Sequence, residues 1–220
     1  MRNIIALGVV GAVGIANANV VIDDFQASPY HKTIISGSVT EFQNGTMLGG
    51  DRATTTSVQS NLFGLEIQTD IDGGVYALSS QSNVNGSGQL GYGFASSNGG
   101  VVNQNLNANL SGENQFKLNF ISSDAPGSYT IGVRSSSSAG GNFVNVTKAF
   151  QGNSVNTPFM STVNFSEFGG VNFSDIDQIT LTFDTGLSGD VAISSFQAVP
   201  EPATMAILGA AAAAFLRRRK

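Results

Sequence analysis

The chain has 220 residues, 11% of them charged, and contains neither cysteine nor tryptophan. That length suits one domain of ordinary size, and a charged fraction well below the usual figure of about 25% leaves solubility to hydroxyls, amides and backbone. Without cysteine there is no disulfide, no thiolate zinc site and no thiol nucleophile. Between residues 19 and 199, five cations (Lys32, Arg52, Lys117, Arg134, Lys148) stand against fourteen carboxylates, a net charge of −9 that disfavours nucleic acid and anionic membranes as partners.

The first eighteen residues have the three parts of a secretory signal. Met1-Arg2-Asn3 is a short basic start, residues 4–15 are apolar with interspersed glycine, and Ala16-Asn17-Ala18 supplies the small-x-small pattern that signal peptidase needs, with Ala16 and Ala18 as its small residues. Twelve residues of helix cover about 18 Å, short of the roughly 30 Å bilayer core, so the segment reads as a cleaved signal helix over residues 1–18 rather than an anchor.

From residue 19 the dominant period is two. Candidate strands occur in order at residues 20–25, 63–67, 75–78, 90–94, 116–120, 129–134, 143–146, 178–184 and 191–196. The pattern is clearest in Gln178-Ile179-Thr180-Leu181-Thr182-Phe183-Asp184, where Ile179, Leu181 and Phe183 share one face and the threonines the other. Turn chemistry separates the runs: Asn44-Gly45, Asp72-Gly73-Gly74, Asn85-Gly86, Asn98-Gly99-Gly100, Pro126-Gly127, Gly140-Gly141, Gly169-Gly170 and Ser188-Gly189. Some nine to twelve short, half-buried strands and no amphipathic helix predict an all-β fold over residues 19–198, an antiparallel two-sheet jelly-roll-like sandwich.

The chain closes with Val199-Pro200-Glu201-Pro202, an apolar stretch over residues 203–216, and Arg217-Arg218-Arg219-Lys220. Pro200 and Pro202 around Glu201 keep the backbone extended, because proline fixes φ and pushes its predecessor out of the α region. The next fourteen residues favour a short hydrophobic helix, and the basic tail resists translocation. Residues 199–220 resemble the sorting tail of PEP-CTERM proteins, bacterial exported proteins recognised by an exosortase. The resemblance implies processing at Pro200, Glu201 and Pro202, retention of Arg217, Arg218 and Arg219 on the cytoplasmic side during a transient membrane contact, and an exopolysaccharide, biofilm or extracellular matrix setting at the cell envelope.

The body resembles a galactose-binding-like sandwich, a fold found in many carbohydrate-binding modules. The residues that carry this are Val21-Ile22-Asp23-Asp24-Phe25, Gly49-Gly50-Asp51-Arg52 and Phe173-Ser174-Asp175-Ile176-Asp177-Gln178-Ile179. In such sandwiches a structural calcium near the chain ends would fall to Asp23, Asp24 and Asp190. Calcium is also the metal that an oxygen-rich, His- and Cys-poor chain favours. The same aspartates are equally suited to Asx turns and loop caps. Arg52 offers a planar five-donor fork to a ligand, or it ties its loop to a neighbouring carboxylate. Any sugar-stacking surface would fall to Tyr or Phe.

Catalytic chemistry has little material. His31 is the one histidine, no G-x-S-x-G elbow accompanies it, and paired carboxylates are cheap among fourteen. The expected protein is therefore a secreted, exosortase-sorted, non-enzymatic surface or matrix component with a structural or adhesive role and no cofactor beyond that calcium. Its partners would be signal peptidase and exosortase during export, with exopolysaccharide afterwards. A glycan-binding module is the first alternative and a secreted hydrolase the second.

Overall fold

The computed structural model describes residues 19–97, 100–136, 141–152, 155 and 157–200. The expected signal helix and C-terminal hydrophobic helix lie outside these residues. The described chain forms fifteen strands: β1 (Val20–Asp23), β2 (Tyr30–Ile34), β3 (Ser38–Asn44), β4 (Asp51–Asn61), β5 (Ile67–Asp72), β6 (Val75–Ser80), β7 (Val84–Tyr92), β8 (Phe94–Ser97), β9 (Gly100–Asn103), β10 (Gln115–Ser123), β11 (Gly127–Ser135), β12 (Val144–Phe150), β13 (Phe159–Asn164), β14 (Ile176–Leu187) and β15 (Asp190–Val199). Among the described residues the sole helical element is a single 3-10 turn at Phe165–Glu167.

The strands form the expected antiparallel sandwich. One sheet has the order β13-β10-β15-β6-β5-β2, with β1 added against β15; the other has the order β12-β11-β14-β7-β4-β3; β8 and β9 make a separate hairpin. β15 is the last strand in sequence yet sits at the centre of its sheet. β10 covers one of its edges, while β6 pairs with its first half and β1 with its second. It runs through Val199, one residue past the boundary expected from the sequence.

Alternation in the strands places the core where the period predicts. Tyr76, Leu78, Phe116, Leu118, Phe120, Ile193 and Phe196 from the seven-stranded sheet meet Leu90, Tyr92, Tyr129, Ile131, Ile179, Leu181 and Phe183 from the other, all essentially without solvent contact. Tyr76 stacks on Phe183 across the interface at a centroid separation of 5.5 Å, a geometry that adds to simple area burial. Gly88 makes room for this pair, since a Cβ there would lie 2.0 Å from the Tyr76 hydroxyl oxygen.

Several local expectations are corrected. Asn85-Gly86 is not a turn but lies within β7, where Gly86 faces inward against Ile67. The reversal falls earlier, at Asn83, with φ 62°. The strand expected at residues 63–67 is largely a loop: Leu62 and Phe63 are 85% and 63% exposed, and β5 starts only at Ile67. Asn61 braces that loop by donating to the carbonyls of Ile35 and Leu65 and accepting from the Leu65 amide. The strands β2, β3, β4 and β13 were absent from the sequence reading because threonine, serine and charged residues occupy many of their positions.

Candidate functional site

The outer face of the six-stranded sheet carries the most ordered chemistry on the molecule. Strand register sets its side chains in three rows, each crossing all six strands. The first row runs Asn145, Gly132, Thr180, Gly91, Ala53, Phe42. The second runs Thr147, Thr130, Thr182, Gln89, Thr55, Thr40, and the third Ala149, Ser128, Asp184, Ser87, Ser57, Ser38. With neighbouring strands about 4.8 Å apart, each row is about 24 Å long, and the rows lie about 7 Å from one another.

Cross-strand hydrogen bonds hold these side chains in place. Thr40 and Thr55 are 2.8 Å apart, as are Thr130 and Thr147; Ser38 and Ser57 are 2.7 Å apart, and the Gln89 amide donates to Thr182 at 2.9 Å. A hydroxyl in such a pair still has acceptor capacity to offer outward. The glycines of the first row admit aromatic rings: a Cβ on Gly91 would meet Phe94 at 3.0 Å, and one on Gly132 would meet Phe143 at 3.2 Å. Phe94 and Phe143 stand 6.4 Å apart with nearly parallel planes, and the Arg134 guanidinium lies 5.7 Å from the Phe143 ring centroid. Asp184 is the only ionic side chain in the three rows. Sequence reading singled out none of these residues as a site. The hydroxyls at alternate positions of Ala53-Thr54-Thr55-Thr56-Ser57 and Thr180-Leu181-Thr182 were visible, but their alignment across strands depends on register.

Arg52 is not on a ligand loop. It is the second residue of β4, fully buried, and its Nη1 donates to Asp23 Oδ2 at 2.8 Å. Its Nε donates to Gln43, and its Nη2 donates to the Ser28 carbonyl at 3.2 Å. Asp23, rather than the adjacent Asp51, is the carboxylate that holds it. Asp23 Oδ2 also accepts from the Tyr92 hydroxyl at 3.0 Å, and its Oδ1 accepts from the Phe25 amide at 2.8 Å. This last bond supports Phe25 at φ 59°, a left-handed conformation unusual for a bulky side chain.

The same geometry places the three aspartates named for calcium apart. Asp23 is opposite Phe196 while Asp190 begins β15, so about 20 Å of strand separates them. Asp190 instead accepts from the Ser80 amide, and Asp24 accepts from the Gln26 amide in a local turn. Among the described residues no group of three or more His, Cys, Asp or Glu side chains could hold a metal ion. The thermal midpoint is therefore expected to be the same with and without a chelator; a drop of several degrees in the chelator would reveal a cation that these contacts do not.

The body hands the chain to its tail without a linker. Val199, 6% exposed, is still in β15, and its carbonyl accepts from the Asn114 amide at 3.1 Å. Pro200 follows at once, and the sequence continues into Pro-Glu-Pro, the apolar stretch and the basic end.

Residues 198–220 match the PEP-CTERM protein-sorting motif.

A PEP-CTERM tail indicates an exported, surface-associated protein and implies processing by an exosortase. Its first two matched residues, Ala198 and Val199, are at the same time strand residues of the body. No curated protein sequence matches the chain. Among solved structures, similarity is found to the family 11 carbohydrate-binding module from Clostridium thermocellum in complex with a β-1,3-1,4-mixed-linked tetrasaccharide, at 11% identity and a TM-score of 0.43, covering 83% of this chain and 95% of that one. It is also found to TmCBM61 in complex with β-1,4-galactotriose, at 16% identity and a TM-score of 0.36, covering 57% and 71%. A family 29 carbohydrate-binding module matches at 12% identity and a TM-score of 0.35, covering 77% and 91%.

Two further places on the body bear on catalysis. His31 in β2 lies opposite Asp70 in β5, and the two side chains are hydrogen-bonded through Nδ1 on the outer face of the seven-stranded sheet. The open depression they line, with Pro29, Tyr30, Ile71 and Asp72, includes no serine, threonine or cysteine to serve as a nucleophile. A larger open depression of about 670 Å³ lies at the end of the sandwich, lined by Glu113, Asn114, Asn164, Asn172 and Phe173 among others. Burial raises the Glu113 carboxyl above its ordinary value. Glu113 is the only carboxylate in that lining, whereas glycoside hydrolysis of the usual kind needs two facing across the bond.

Proposed function

We propose that this is an exported, exosortase-sorted, non-catalytic protein that holds a neutral polysaccharide along the outer face of its six-stranded sheet. The observation that carries the reading is the second and third registered rows, hydroxyl- or amide-bearing at ten of their twelve positions, with the Phe94–Phe143 pair beside the first row. Hydroxyls and amides both donate and accept, which is the chemistry a polyhydroxylated chain presents. An aromatic pair beside Gly91 and Gly132 of the first row supplies apolar surface for a sugar ring. The single carboxylate in the rows, set against one guanidinium beside Phe143, gives no field that would select an ionic ligand. A row length of about 24 Å accommodates several sugar units in line, so affinity would grow with chain length. A surface protein with this property is adhesive towards the polysaccharide around the cell.

The test is affinity electrophoresis of the purified protein in gels containing neutral polysaccharides (mixed-linkage β-glucan, galactan, mannan) and, separately, the acidic alginate. Retardation is expected in at least one neutral gel and not in alginate. Phe143→Ala is expected to weaken it about tenfold, which corresponds to about 1.4 kcal/mol. Thr182→Arg, which places a long cation in the middle row, should weaken it at least as much while leaving the thermal midpoint within a few degrees. Migration unchanged in every neutral gel, or variants that bind as the wild type does, would remove this face as the site.

A further inference from the structure

One tripeptide occurs twice, eight residues apart: Asn164-Phe165-Ser166 and Asn172-Phe173-Ser174. The fold brings both copies to one place. Phe165 and Phe173 stack face to face, with ring centroids 3.8 Å apart and planes 4° from parallel, and both pack on Phe116 of the core. With their flanking Asn and Ser residues they line the open depression of about 670 Å³ at the end of the sandwich, which Ser111, Glu113 and Asn114 also line.

The backbone that carries these groups is fixed. The Glu113 amide donates to the Leu110 carbonyl at 3.0 Å, the Asn114 amide donates to the Val199 carbonyl at 3.1 Å, and the Asn114 carbonyl accepts from the Phe165 amide at 2.8 Å. Two side-chain oxygens on it are nevertheless buried with no hydrogen-bond partner, Glu113 Oε2 and Asn114 Oδ1. Such orphans are rare in folded proteins, because each gives up its hydration without compensation. Among the described residues no cation answers the carboxylate. The lining contains no Lys, Arg or His, and the ion pairs of the body engage Asp23, Glu41, Asp70 and Glu167 instead. The neighbouring hydroxyls add acceptors rather than donors. Ser174 Oγ donates to Asn172 Oδ1 and Ser111 Oγ to Asn109 Oδ1, each at 2.7 Å, so each hydroxyl has only acceptor capacity left.

A site built of acceptors around one negative charge is complementary to a protonated amine, which brings three donors and one positive charge on a single nitrogen. We propose that this depression is a second binding site, separate from the sheet face, that takes an amino sugar: the ammonium nitrogen of a glucosamine-type unit between Glu113 Oε2 and Asn114 Oδ1, its ring against Phe173. A sugar is favoured over a peptide amine because Ser and Asn side chains supply most of the remaining lining, which suits a ring of hydroxyls, and the Phe165–Phe173 stack adds apolar surface for that ring. The volume is within the range of about 300–1,000 Å³ usual for small-ligand sites. The site does not depend on the neutral-polysaccharide reading. It gives the protein a hold on polysaccharide that carries free amines, towards which the net charge of −9 on the body already steers it.

The test is isothermal titration calorimetry of the full chain, kept in neutral detergent and mildly acidic buffer. The probe is the β-1,4-linked glucosamine tetramer, compared with its fully N-acetylated form, the glucose tetramer and trilysine. The glucosamine tetramer is expected to bind at least tenfold more tightly than any of the other three. Glu113→Gln keeps the shape of the side chain and is expected to weaken binding at least tenfold, with a thermal midpoint unchanged or higher, because it removes an unpaired charge. Asp72→Asn, which removes an exposed charge elsewhere, and Thr182→Arg on the sheet face are expected to leave the affinity within twofold. No binding of the glucosamine tetramer would overturn the proposal, as would equal affinity for the acetylated tetramer or unchanged affinity in a folded Glu113→Gln variant. An equal loss in Asp72→Asn would reduce the effect to the overall charge of the body and overturn the site. Tighter binding of trilysine would overturn the assignment to a sugar. Glucosamine binding that persists while every neutral gel leaves migration unchanged would remove the sheet-face reading alone.

Discussion

Asp23→Ala is expected to destabilise the sandwich by about 3–5 kcal/mol, the range for removing one partner of a buried ion pair. The loss comes less from the missing attraction than from what stays behind. Arg52 is fully buried, and without Asp23 its Nη1 and the Tyr92 hydroxyl lose their shared acceptor, each a costly orphan in a dry interior. The Phe25 amide loses its acceptor too, just where the backbone is in the left-handed region. Against a typical total of about 5–15 kcal/mol, this one side chain decides whether much of the population is folded at growth temperature. Urea denaturation monitored by circular dichroism measures it. The double variant Asp23→Ala, Arg52→Met removes the orphaned cation and should cost less than the sum of the two single changes, with a coupling of about 1–3 kcal/mol. Additive effects would mean that the pair does not interact as the geometry requires.

Stability should also collapse above pH 10 rather than near neutrality. Burial raises the hydroxyl pKa of all four tyrosines: Tyr30 is pushed up to about 12, Tyr129 is raised despite its hydrogen bond with Ser161, and Tyr76 and Tyr92 rise furthest. In the unfolded chain each titrates near its usual value of about 10. Above that pH the unfolded state gives up protons that the folded state keeps, so the unfolded state binds fewer protons and unfolding becomes easier as pH increases. The fully buried Tyr76 and Tyr92 alone account for roughly 3 kcal/mol per pH unit in this window. Tyrosinate absorbance is therefore expected to appear in one cooperative step, coincident with loss of β-sheet signal, between about pH 10 and 12. Gradual titration around pH 10 with the sheet intact would show that these rings are not enclosed as described.

The sandwich and the buried network make different demands on a reader of the sequence. Gln178 to Asp184 alternates so strictly that its strand and its two faces follow from side-chain order alone, and β14 contains all of it. β4 carries the same information in weaker form. Its inward residues are Arg52, Thr54, Thr56 and Val58, so polarity does not separate inside from outside, and only the strands packed against it reveal that Thr56 bonds Thr69 and Arg52 bonds Asp23. Asn85-Gly86 misleads for a related reason. Glycine here is chosen because Ile67 approaches the strand, not because the chain turns.

The sequence by itself determined the address and the class of fold: a sorting tail is a linear signal read in order along the chain, and a period of two is a local consequence of the pleat. Tertiary structure alone decided which of these residues form a site. The hydroxyl rows are assembled from β12, β11, β14, β7, β4 and β3, strands up to about 140 residues apart in the chain, and a slip of one residue in any of them would turn its row residues into the core. The closeness of the two ends of the body is likewise set by a single antiparallel pair, Val20 with Ala198. No local pattern in either segment specifies its partner, because pairing is chosen by the burial of all the strands together.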